Sequence, residues 1–344
     1  MKKQVKVGHL FLGDGRVYIQ SMLNAHADDI DGNIAQAKAL EAAGCDIIRV
    51  AVPTVESVEL IQALKGPVTL PVVADIHFDY RLALASIDAG ADKLRINPGN
   101  IGGAANVRAV ADKAKAAGIP IRIGVNSGSL QKEILAKYGA ATPEALAESA
   151  FTHAALLENC GFDDIVISIK SSDVAVMVTA NRILATRCDY PIHLGVTEAG
   201  TPGTGTLKSA IGIGALLLDG IGDTIRVSLT GDALEEVRAG KNILSALGLL
   251  PNTPRLISCP TCGRTKIDVI SLAGRVEDAL LDVHKPITVA VMGCAVNGPG
   301  EAKDADVGVA GGDGEAVLFR KGRIVCKLPE GEVFEVLMRE INEL

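Results

Sequence analysis

The sequence predicts an α/β protein in which a (β/α)8 barrel, residues 1–248, precedes a smaller α/β domain, residues 255–344. Three observations support this prediction. A helix–glycine–strand phrase recurs up to residue 228, the predicted strands number eight, and two prolines, Pro251 and Pro254, mark a linker after the last repeat. Because helices and strands alternate, the sheet should be parallel, and eight units should close it into a barrel.

The repeated phrase joins the end of an Ala- and Leu-rich helix, a glycine that can cap that helix, and a short β-branched strand. It occupies residues 42–50, 88–96, 116–123, 159–168 and 219–228. Further strands are predicted at residues 17–20, 72–75 and 191–196. Thr142 and Pro143 predict a helix start in the longer unit between the fifth and sixth strands. An open, doubly wound sheet is the alternative, because a count of strands does not prove closure.

Four arginines occupy matching positions near the carboxyl ends of predicted strands: Arg49, Arg95, Arg122 and Arg226. A buried parallel strand should be apolar throughout, and an unpaired charge inside one is very costly. The arginines are therefore expected at the barrel mouth, where the active sites of such barrels form. A ring of guanidinium groups suits a phosphate or diphosphate, because each planar fork binds two oxygens. The alternative is that each arginine only pairs with a neighbouring Asp.

Other predicted strands also end in polar residues, which places further candidate groups at the same mouth. They are Asp75, His77, Asn97, Asn126, Lys170, Thr197, Glu198 and Ser228. Glu198 is the best candidate for acid–base catalysis, because neighbouring arginines and a bound phosphate would control its protonation. A lone histidine such as His77 is more often structural, and Lys170 could be an ordinary solvated strand end.

Composition and charge argue against several classes of function. The net charge of −7, the aromatic content of 3% and the lack of tryptophan are unfavourable for nucleic-acid binding. No segment reaches the roughly 20 apolar residues of a membrane span, and no signal peptide is predicted, so we expect a cytoplasmic protein without a membrane partner. In a reducing cytosol, seven cysteines indicate metal ligands, redox groups or core residues rather than disulfides.

Three cysteines in the second domain are candidate metal ligands. Cys259 and Cys262 form a Cys-x-x-Cys pair, and Cys294 lies in a glycine-rich stretch, residues 292–301. Glycines let the backbone approach an iron–sulfur cluster and hydrogen-bond its sulfides. Zinc is the alternative, with His284 as a fourth ligand, although a zinc ribbon normally has two such pairs. A thioredoxin-like redox pair is less favoured. The remaining cysteines are expected in the core: Cys45, Cys160, Cys188 and Cys326.

Five motifs closely resemble those of the 4-hydroxy-3-methylbut-2-en-1-yl diphosphate synthase family, and the resemblance runs nearly end to end. They are RINPGNIG (95–102), RIGVNSGS (122–129), VTEAG (196–200), SCPTCGR (258–264) and GCAVNGPGE (293–301). This family catalyses the penultimate step of the methylerythritol phosphate route to isoprenoids. The chain resembles the compact bacterial form, which lacks the middle domain of the plant-type form.

The resemblance implies an iron–sulfur site and a substrate site. The implied ligands of a 4Fe-4S cluster are Cys259, Cys262, Cys294 and Glu301. Glu301 is expected to be catalytic as well, because a carboxylate is a poorer ligand than a thiolate for a sulfur-bound iron and can be exchanged. Glu198 is expected to deliver a proton. The implied diphosphate-binding residues are Arg49, Arg95, Arg122, Asn126, Lys170, Thr197, Arg226 and Ser228.

The implied reaction is the two-electron reductive ring opening of 2-C-methyl-D-erythritol 2,4-cyclodiphosphate, with loss of water, to 4-hydroxy-3-methylbut-2-enyl diphosphate. Flavodoxin or ferredoxin is the implied electron donor. The second domain is expected to resemble a sulfite-reductase-like α/β unit and, in a homodimer, to cap the barrel of the partner chain. Two other functions stay open at this point: a zinc-dependent barrel synthase, and an iron–sulfur electron carrier without catalytic activity.

Overall fold

The computed structural model describes residues 2–281, 283–294 and 302–344. The chain divides into two compact units, Met1–Leu247 and Gly248–Leu344. The first unit carries a parallel sheet of barrel strands, and the second carries a separate mixed sheet. Within the described ranges, no helix combines the length and the apolar character that crossing a bilayer requires.

After an N-terminal hairpin, β1 (Val5–Val7) and β2 (Leu10–Leu12), eight parallel strands form the barrel in the described part of the first unit. They are β3 (Tyr18–Met22), β4 (Ile47–Ala51), β5 (Val72–Asp75), β6 (Lys93–Ile96), β7 (Ile121–Asn126), β8 (Ile165–Lys170), β9 (His193–Leu194) and β10 (Thr224–Ile225). They pair in the order β8–β7–β6–β5–β4–β3–β10–β9. A parallel bridge between Ile167 and Ile192 joins the two end strands. The sheet therefore closes, and the open-sheet alternative is wrong.

Helices connect the strands, as the repeated phrase predicts. They are α1 (Ile30–Ala42), α2 (Glu59–Leu64), α3 (Tyr80–Asp88), α4 (Ala104–Ala117), α5 (Lys132–Tyr138), α6 (Pro143–Glu158), α7 (Val174–Ala185), α8 (Pro202–Leu218) and α9 (Ala233–Ala246), with short 3-10 helices at Glu56–Val58 and Ser127–Ser129. The hydroxyl of Thr142 accepts a hydrogen bond from the backbone N–H of Ala145 at 3.2 Å, which confirms the predicted helix start at Pro143. The short α5, which the sequence analysis missed, accounts for the extra length of this unit.

The N-terminal hairpin, also not predicted, seals the amino-terminal end of the barrel. Its buried side chains are Val5, Val7 and Leu12. They pack against residues from the beginning of the barrel strands: Tyr18, Ile47, Val73 and Val166. Because these contacts are apolar, they exclude water from this end. Polar groups inside the barrel therefore reach solvent through the opposite mouth, at the carboxyl ends of the strands.

The described residues of the second unit form a five-stranded sheet with two helices. The strands are β11 (Arg255–Ser258), β12 (Thr288–Met292), β13 (Val307–Gly311), β14 (Glu315–Arg320) and β15 (Arg323–Pro329). The helices are α10 (Val269–Leu280) and α11 (Val333–Glu343), the latter preceded by a 3-10 helix at Glu330–Glu332. β11, β12 and β13 run parallel, and β14 and β15 add an antiparallel hairpin.

In the second unit, this architecture places a helix after Cys262, a strand leading into Cys294, a hairpin after that strand, and a final helix that begins at Val333. Its core is built from the apolar faces of α10 and α11 and from the alternating Val residues of the strands. Val276, Val291 and Leu337 have no exposed surface. The likeness to a sulfite-reductase-like unit stays a prediction.

Candidate active site

A cavity of about 210 Å³ lies at the carboxyl ends of the barrel strands. It is lined by Arg49, Asp75, His77, Arg95, Arg122, Gly124, Asn126, Ser168, Lys170, Thr197, Arg226 and Ser228. All eight residues that the sequence predicts to bind the diphosphate are in this set, so the structure brings them together. A larger depression of about 550 Å³, around Tyr190, contains none of the predicted site residues.

Asp75, at the end of β5, orients two of the arginines. Its Oδ1 accepts a hydrogen bond from Nη1 of Arg95 at 2.9 Å, and its Oδ2 lies 3.7 Å from Nε of Arg49. The same Nη1 of Arg95 donates to Nε2 of His77 at 2.6 Å. Burial by itself would raise the pKa of Asp75, but the positive charges of Arg49 and Arg95 together hold that pKa well below its usual range. Asp75 is therefore ionised and fixes both guanidinium groups at the cavity wall.

Glu236 performs the same task for Arg226 from behind the cavity. It lies on α9, is 4% exposed, and was not identified from the sequence. Its two carboxylate oxygens accept from Nη2 of Arg226 at 3.0 Å and from Nε at 3.2 Å. They also accept from the backbone N–H of Leu229 at 3.0 Å and from the hydroxyl of Ser21 at 3.1 Å. These four hydrogen bonds fix the position of the Glu236 carboxylate, which in turn orients the guanidinium group of Arg226.

Arg122 and Lys170 face the cavity with no carboxylate partner among the described residues. Arg122 is 1% exposed, and its Nε and Nη2 have no hydrogen-bond partner in the part of the chain that the structure describes. Burial, followed by the nearby guanidinium groups of Arg49 and Arg95, lowers the pKa of Arg122 well below its usual value. Burial and the surrounding arginines, Arg122 foremost, lower the pKa of Lys170 in the same way. A bound anion would therefore stabilise the charged forms of both side chains most strongly.

The charges around the cavity are therefore unbalanced. Its lining holds four arginines and Lys170, five cationic side chains, and these face two buried carboxylates, Asp75 and Glu236. The alternative that each arginine only pairs with a neighbouring acid holds in part for three of them, but two of the three share Asp75. An excess of positive charge in a small buried space is unfavourable unless an anion compensates it. A polyanion would supply this compensation.

Two glycines create the space for these long side chains: Gly124 of β7, and Gly195 directly after β9. A β-carbon on Gly124 would lie 2.5 Å from Nε of Arg95. A β-carbon on Gly195 would lie 2.6 Å from the carbonyl oxygen of Arg226 and 2.7 Å from Nζ of Lys170. Because real β-carbons do not approach other atoms so closely, any other residue would displace a cation from the cavity wall.

Glu198 and Asn97 lie outside the set that lines the cavity. Glu198 follows Thr197, is exposed, and has a backbone φ of 51°, in the left-handed region that non-glycine residues rarely adopt. Such strain is found at functional sites more often than elsewhere. Asn97 accepts a hydrogen bond from the backbone N–H of Gly99 at 3.1 Å and so stabilises the loop after β6.

Lys93, His193 and Gln20 are buried polar residues of the barrel strands that the sequence analysis missed. All three are at most 1% exposed, and each has a side-chain atom without a hydrogen-bond partner among the described residues. Lys93 stands two residues before Arg95 on β6, so the two side chains point to the same face of the strand. That spacing was the available signal in the sequence, because a lysine in an otherwise apolar barrel strand requires an explanation.

The three candidate cysteine ligands lie on adjacent loops of the second unit. Cys259 follows β11 and Cys294 follows β12, and these strands are parallel neighbours. The backbone N–H of Gly293 donates to Sγ of Cys259 at 3.0 Å, and the backbone N–H of Lys266 donates to the carbonyl of Gly293 at 2.8 Å. The backbone N–H of Arg264 is the main cause that lowers the pKa of Cys262, which is exposed. Thiolate character and N–H···S hydrogen bonds are what an iron–sulfur cluster requires.

The chemistry of these cysteines, and the positions of Cys259 and Cys294 after neighbouring strands, are therefore compatible with an iron–sulfur cluster. Among the described residues, no three His, Cys, Asp or Glu side chains are close enough to enclose a metal ion. Glu301 lies outside the described residues. His284 is exposed and precedes β12, whereas Cys294 follows that strand, whose five residues span roughly 16 Å. The Cys3His zinc alternative is wrong, because His284 and Cys294 lie beyond opposite ends of the strand.

Two family models match the chain: one described as the GcpE TIM-barrel domain over residues 2–241, and one described as the GcpE protein C-terminal domain over residues 255–343. A relative from Caldanaerobacter subterraneus is 56% identical over 100% of this chain and 97% of its own length. Another, from Geobacillus thermodenitrificans, is 52% identical over 99% of this chain and 92% of its own. Both are named 4-hydroxy-3-methylbut-2-en-1-yl diphosphate synthase (flavodoxin).

Solved structures show the same barrel fold at low sequence identity. Dihydropteroate synthase from Stenotrophomonas maltophilia aligns with a TM-score of 0.53 and 17% identity, covering 72% of this chain and 99% of that chain. A type I 3-dehydroquinate dehydratase from Clostridium difficile aligns with a TM-score of 0.52 and 16% identity, covering 71% of this chain and 99% of that chain. The family models extend beyond the barrel and together span nearly the whole sequence. The chain therefore belongs to the GcpE family, whose members are 4Fe-4S enzymes.

Proposed function

We propose that this chain catalyses the two-electron reductive ring opening and dehydration of 2-C-methyl-D-erythritol 2,4-cyclodiphosphate to 4-hydroxy-3-methylbut-2-enyl diphosphate. The relatives named above carry the name of this synthase, and that name supports flavodoxin rather than ferredoxin as the electron donor. The observation that carries the proposal is the cavity at the barrel mouth, where five cations face two carboxylates. A cyclic diphosphate supplies the missing negative charge.

The cavity residues bind the diphosphate and stabilise the charge that develops on it. Asp75 and Glu236 hold three guanidinium groups in place before the substrate arrives, so little reorganisation is needed on binding. Arg122 and Lys170 contribute the charge that no carboxylate of the described chain neutralises. When the ring C–O bond breaks, negative charge grows on the departing diphosphate oxygen, and these cations stabilise it. Neutral groups of the lining orient the rest of the substrate: Asn126, Thr197 and Ser228.

The second unit provides the redox cofactor. Cys259, Cys262 and Cys294 would hold the 4Fe-4S cluster, with Glu301 as the fourth, exchangeable ligand. When bound, the cluster supplies electrons one at a time. We assign proton delivery to the leaving hydroxyl to Glu198, which adjoins Thr197 of the cavity lining and has the strained backbone described above.

We also propose a homodimer in which the second unit of one chain caps the barrel of the partner. The last barrel helix, α9, ends at Ala246. Helices of such barrels run from the mouth back to the opposite end, so the segment that follows α9 leaves from the end remote from the cavity. A symmetric pair of chains brings each cluster to a barrel mouth without a long tether.

The decisive experiment is anaerobic reconstitution followed by analysis of iron, sulfide and zinc and by turnover with reduced flavodoxin. We expect about four irons and four sulfides per chain and formation of the allylic diphosphate. Stoichiometric zinc without sulfide would support the zinc-dependent synthase instead. A protein that assembles the cluster but does not bind the diphosphate would support the iron–sulfur electron carrier instead.

Glu301→Ala should lose most activity but keep part of the iron, whereas Cys294→Ala should lose the cluster, because only the first variant retains three thiolates.

A further inference from the structure

Lys93 is a buried cation that the proposed mechanism does not use. It is the first residue of β6 and has no exposed surface. Its register partner on β5 is Val73, and Asp75 and Arg95, two positions further along these strands, line the cavity. Because residues two apart on a strand share a face, the Lys93 side chain points into the barrel, one layer below the cavity.

The layer that holds Lys93 is closed from below. Val73 belongs to the apolar cluster that the N-terminal hairpin forms with Val5, Val7 and Leu12. The amine Nζ of Lys93 has no hydrogen-bond partner among the described residues. In the described part of the chain, no carboxylate forms an ion pair with Lys93, and the cavity lies directly above it.

The groups that face Lys93 favour a neutral amine in the free protein. Burial is the main cause that lowers the pKa of Lys93 well below its usual value, and Arg122 of β7 and Arg49 of β4 lower it further. His193 of β9 also faces this layer, and burial lowers its pKa well below the usual value, so it contributes no positive charge. Asp75 of β5 is already engaged with Arg49 and Arg95. A bound diphosphate would reverse this balance.

We propose that Lys93 is an electrostatic residue of the diphosphate site, whose amine is neutral in the free protein and takes up one proton when the diphosphate occupies the cavity above it. This inference rests on the proposed function, because the ligand is the cyclic diphosphate. In the step, one proton passes from the buffer to the lone pair of Nζ. No other bond is formed or broken, and no electron is transferred. The resulting ammonium adds one positive charge beneath the anion.

Proton uptake gives the binding a definite pH dependence. The pKa of Lys93 is higher in the complex than in the free protein, so binding is stronger at lower pH. Between those two pKa values, the association constant rises by up to tenfold for each unit that the pH falls. Each phosphorus of the cyclic ligand carries one ester oxygen and one anhydride oxygen and therefore lacks the second ionisation near pH 6, so from roughly pH 6 to 9 the ligand does not titrate.

Calorimetry of the reconstituted enzyme without an electron donor tests this inference, because the cyclic diphosphate then binds without being consumed. Titrations in two non-phosphate buffers that differ in ionisation enthalpy give the number of protons taken up per ligand. Lys93→Met is of similar length and removes an unpartnered amine, so it should fold. Lys38→Met, at an exposed position on α1, is the matched control.

We expect uptake of at least one proton by the wild-type enzyme, a loss of close to one proton in Lys93→Met, and wild-type uptake in Lys38→Met. Absence of uptake in the wild type overturns the inference without reference to any variant. Uptake that is unchanged in Lys93→Met also overturns it and assigns the proton elsewhere, for instance to Lys170. Binding with proton uptake but no turnover would reject the proposed reaction and leave the assignment to Lys93 intact. Absence of any binding of the cyclic diphosphate would reject both the proposed reaction and the assignment to Lys93.

Discussion

The carboxylate of Glu236 holds the guanidinium of Arg226 by two hydrogen bonds, of 3.0 and 3.2 Å, although the two residues belong to different elements. Arg226 immediately follows β10 and lines the cavity, whereas Glu236 lies on α9 and is buried behind it. The carboxylate also accepts from the backbone of Leu229. The pair therefore fixes both the arginine side chain and the loop after β10, so Glu236 is a positioning residue of the site.

Glu236→Gln should raise the KM for the cyclic diphosphate by roughly tenfold or more, because a hydrogen bond to a charged group contributes about 1.5–3 kcal/mol. We expect a smaller change in kcat and an unchanged iron content, since the variant keeps the size of the side chain. Steady-state kinetics and iron analysis measure these effects. Glu235→Gln, its partly exposed neighbour on α9, is the control. A wild-type KM in Glu236→Gln would mean that Arg226 is positioned without this pair.

Arg122→Ala should weaken binding of the cyclic diphosphate more than any change at an arginine that already has a carboxylate partner. Arg122 is buried and unpartnered at two nitrogens, so its full charge is available to the ligand. We expect a loss of about a hundredfold in affinity, corresponding to roughly 3 kcal/mol. Calorimetric titration measures it. Arg108→Ala, at an exposed position on α4, should bind normally. Equal affinities of Arg122→Ala and Arg108→Ala for the cyclic diphosphate would show that Arg122 has only a structural role.

Gly195→Ala should impair the site through crowding rather than through loss of a contact. The added β-carbon would lie 2.6 Å from the backbone oxygen of Arg226 and 2.7 Å from Nζ of Lys170, so either the strand or the lysine must move. We expect a destabilisation of about 1–3 kcal/mol and a higher KM. Urea unfolding and kinetics measure the two effects. Gly214→Ala, within α8 and with open space at its β-carbon, should be neutral or stabilising. Similar behaviour of both variants would refute the crowding argument.

The sequence was sufficient to predict the cavity wall but not what supports it. Arg49, Arg95, Arg122 and Arg226 were recognisable because each interrupts a repeated strand at the same position, and strand ends meet at one mouth. Glu236 was not recognisable, because a glutamate on a helix is ordinary and its burial depends on how that helix packs. The N-terminal hairpin was not predicted, because strands of three residues have almost no recognisable periodicity.

The cluster ligands illustrate a second limit. The sequence placed Cys259 in a Cys-x-x-Cys pair and Cys294 in a glycine-rich stretch, and the structure shows that the strands preceding these two segments are parallel neighbours. Parallel pairing of distant segments depends on tertiary packing and is not encoded in local spacing. The extent of β12, which separates His284 from Cys294, removes His284 from consideration as a ligand.

Protein stability should decrease as the pH falls from about 6.5 towards 4, with His153 as one cause. His153 lies on α6, is 1% exposed, and burial lowers its pKa to about 4. Between these pH values the unfolded chain binds more protons than the folded chain, so acid favours unfolding. At pH 5 this single group costs about 2 kcal/mol relative to pH 8. The loss is complete below the folded pKa and absent above the unfolded one.

Urea unfolding of His153→Leu at pH 8 and pH 5 measures this contribution. The variant should lose less stability on acidification than the wild type, by the amount just given. His193 acts in the same direction, so the slope will not vanish. His9→Gln, at an exposed position, should behave as the wild type. An identical pH slope in His153→Leu and the wild type would show that His153 is protonated in the folded state.

Mixing two inactive variants tests whether each active site is formed between chains. Cys259→Ser removes a cluster ligand, and Arg122→Ala damages the barrel cavity. If the cluster of one chain serves the barrel of its partner, a mixed dimer contains one doubly damaged site and one intact site. Random pairing makes half of the dimers mixed, so roughly a quarter of all sites should be active. If each site lies within one chain, every site carries one defect and mixing restores nothing.

Co-expression of the two variants with different affinity tags, followed by tandem purification, isolates the mixed dimers. In that fraction half of the sites should be active, and the KM of the restored activity should equal that of the wild type, because the active site contains no substitution. Pairing Cys259→Ser with Cys262→Ser is the matched control. Both lesions then damage the cluster, so a mixed dimer contains no intact cluster and should stay inactive in either arrangement. Mixed dimers that are present but inactive in the first pairing would exclude sites formed between chains.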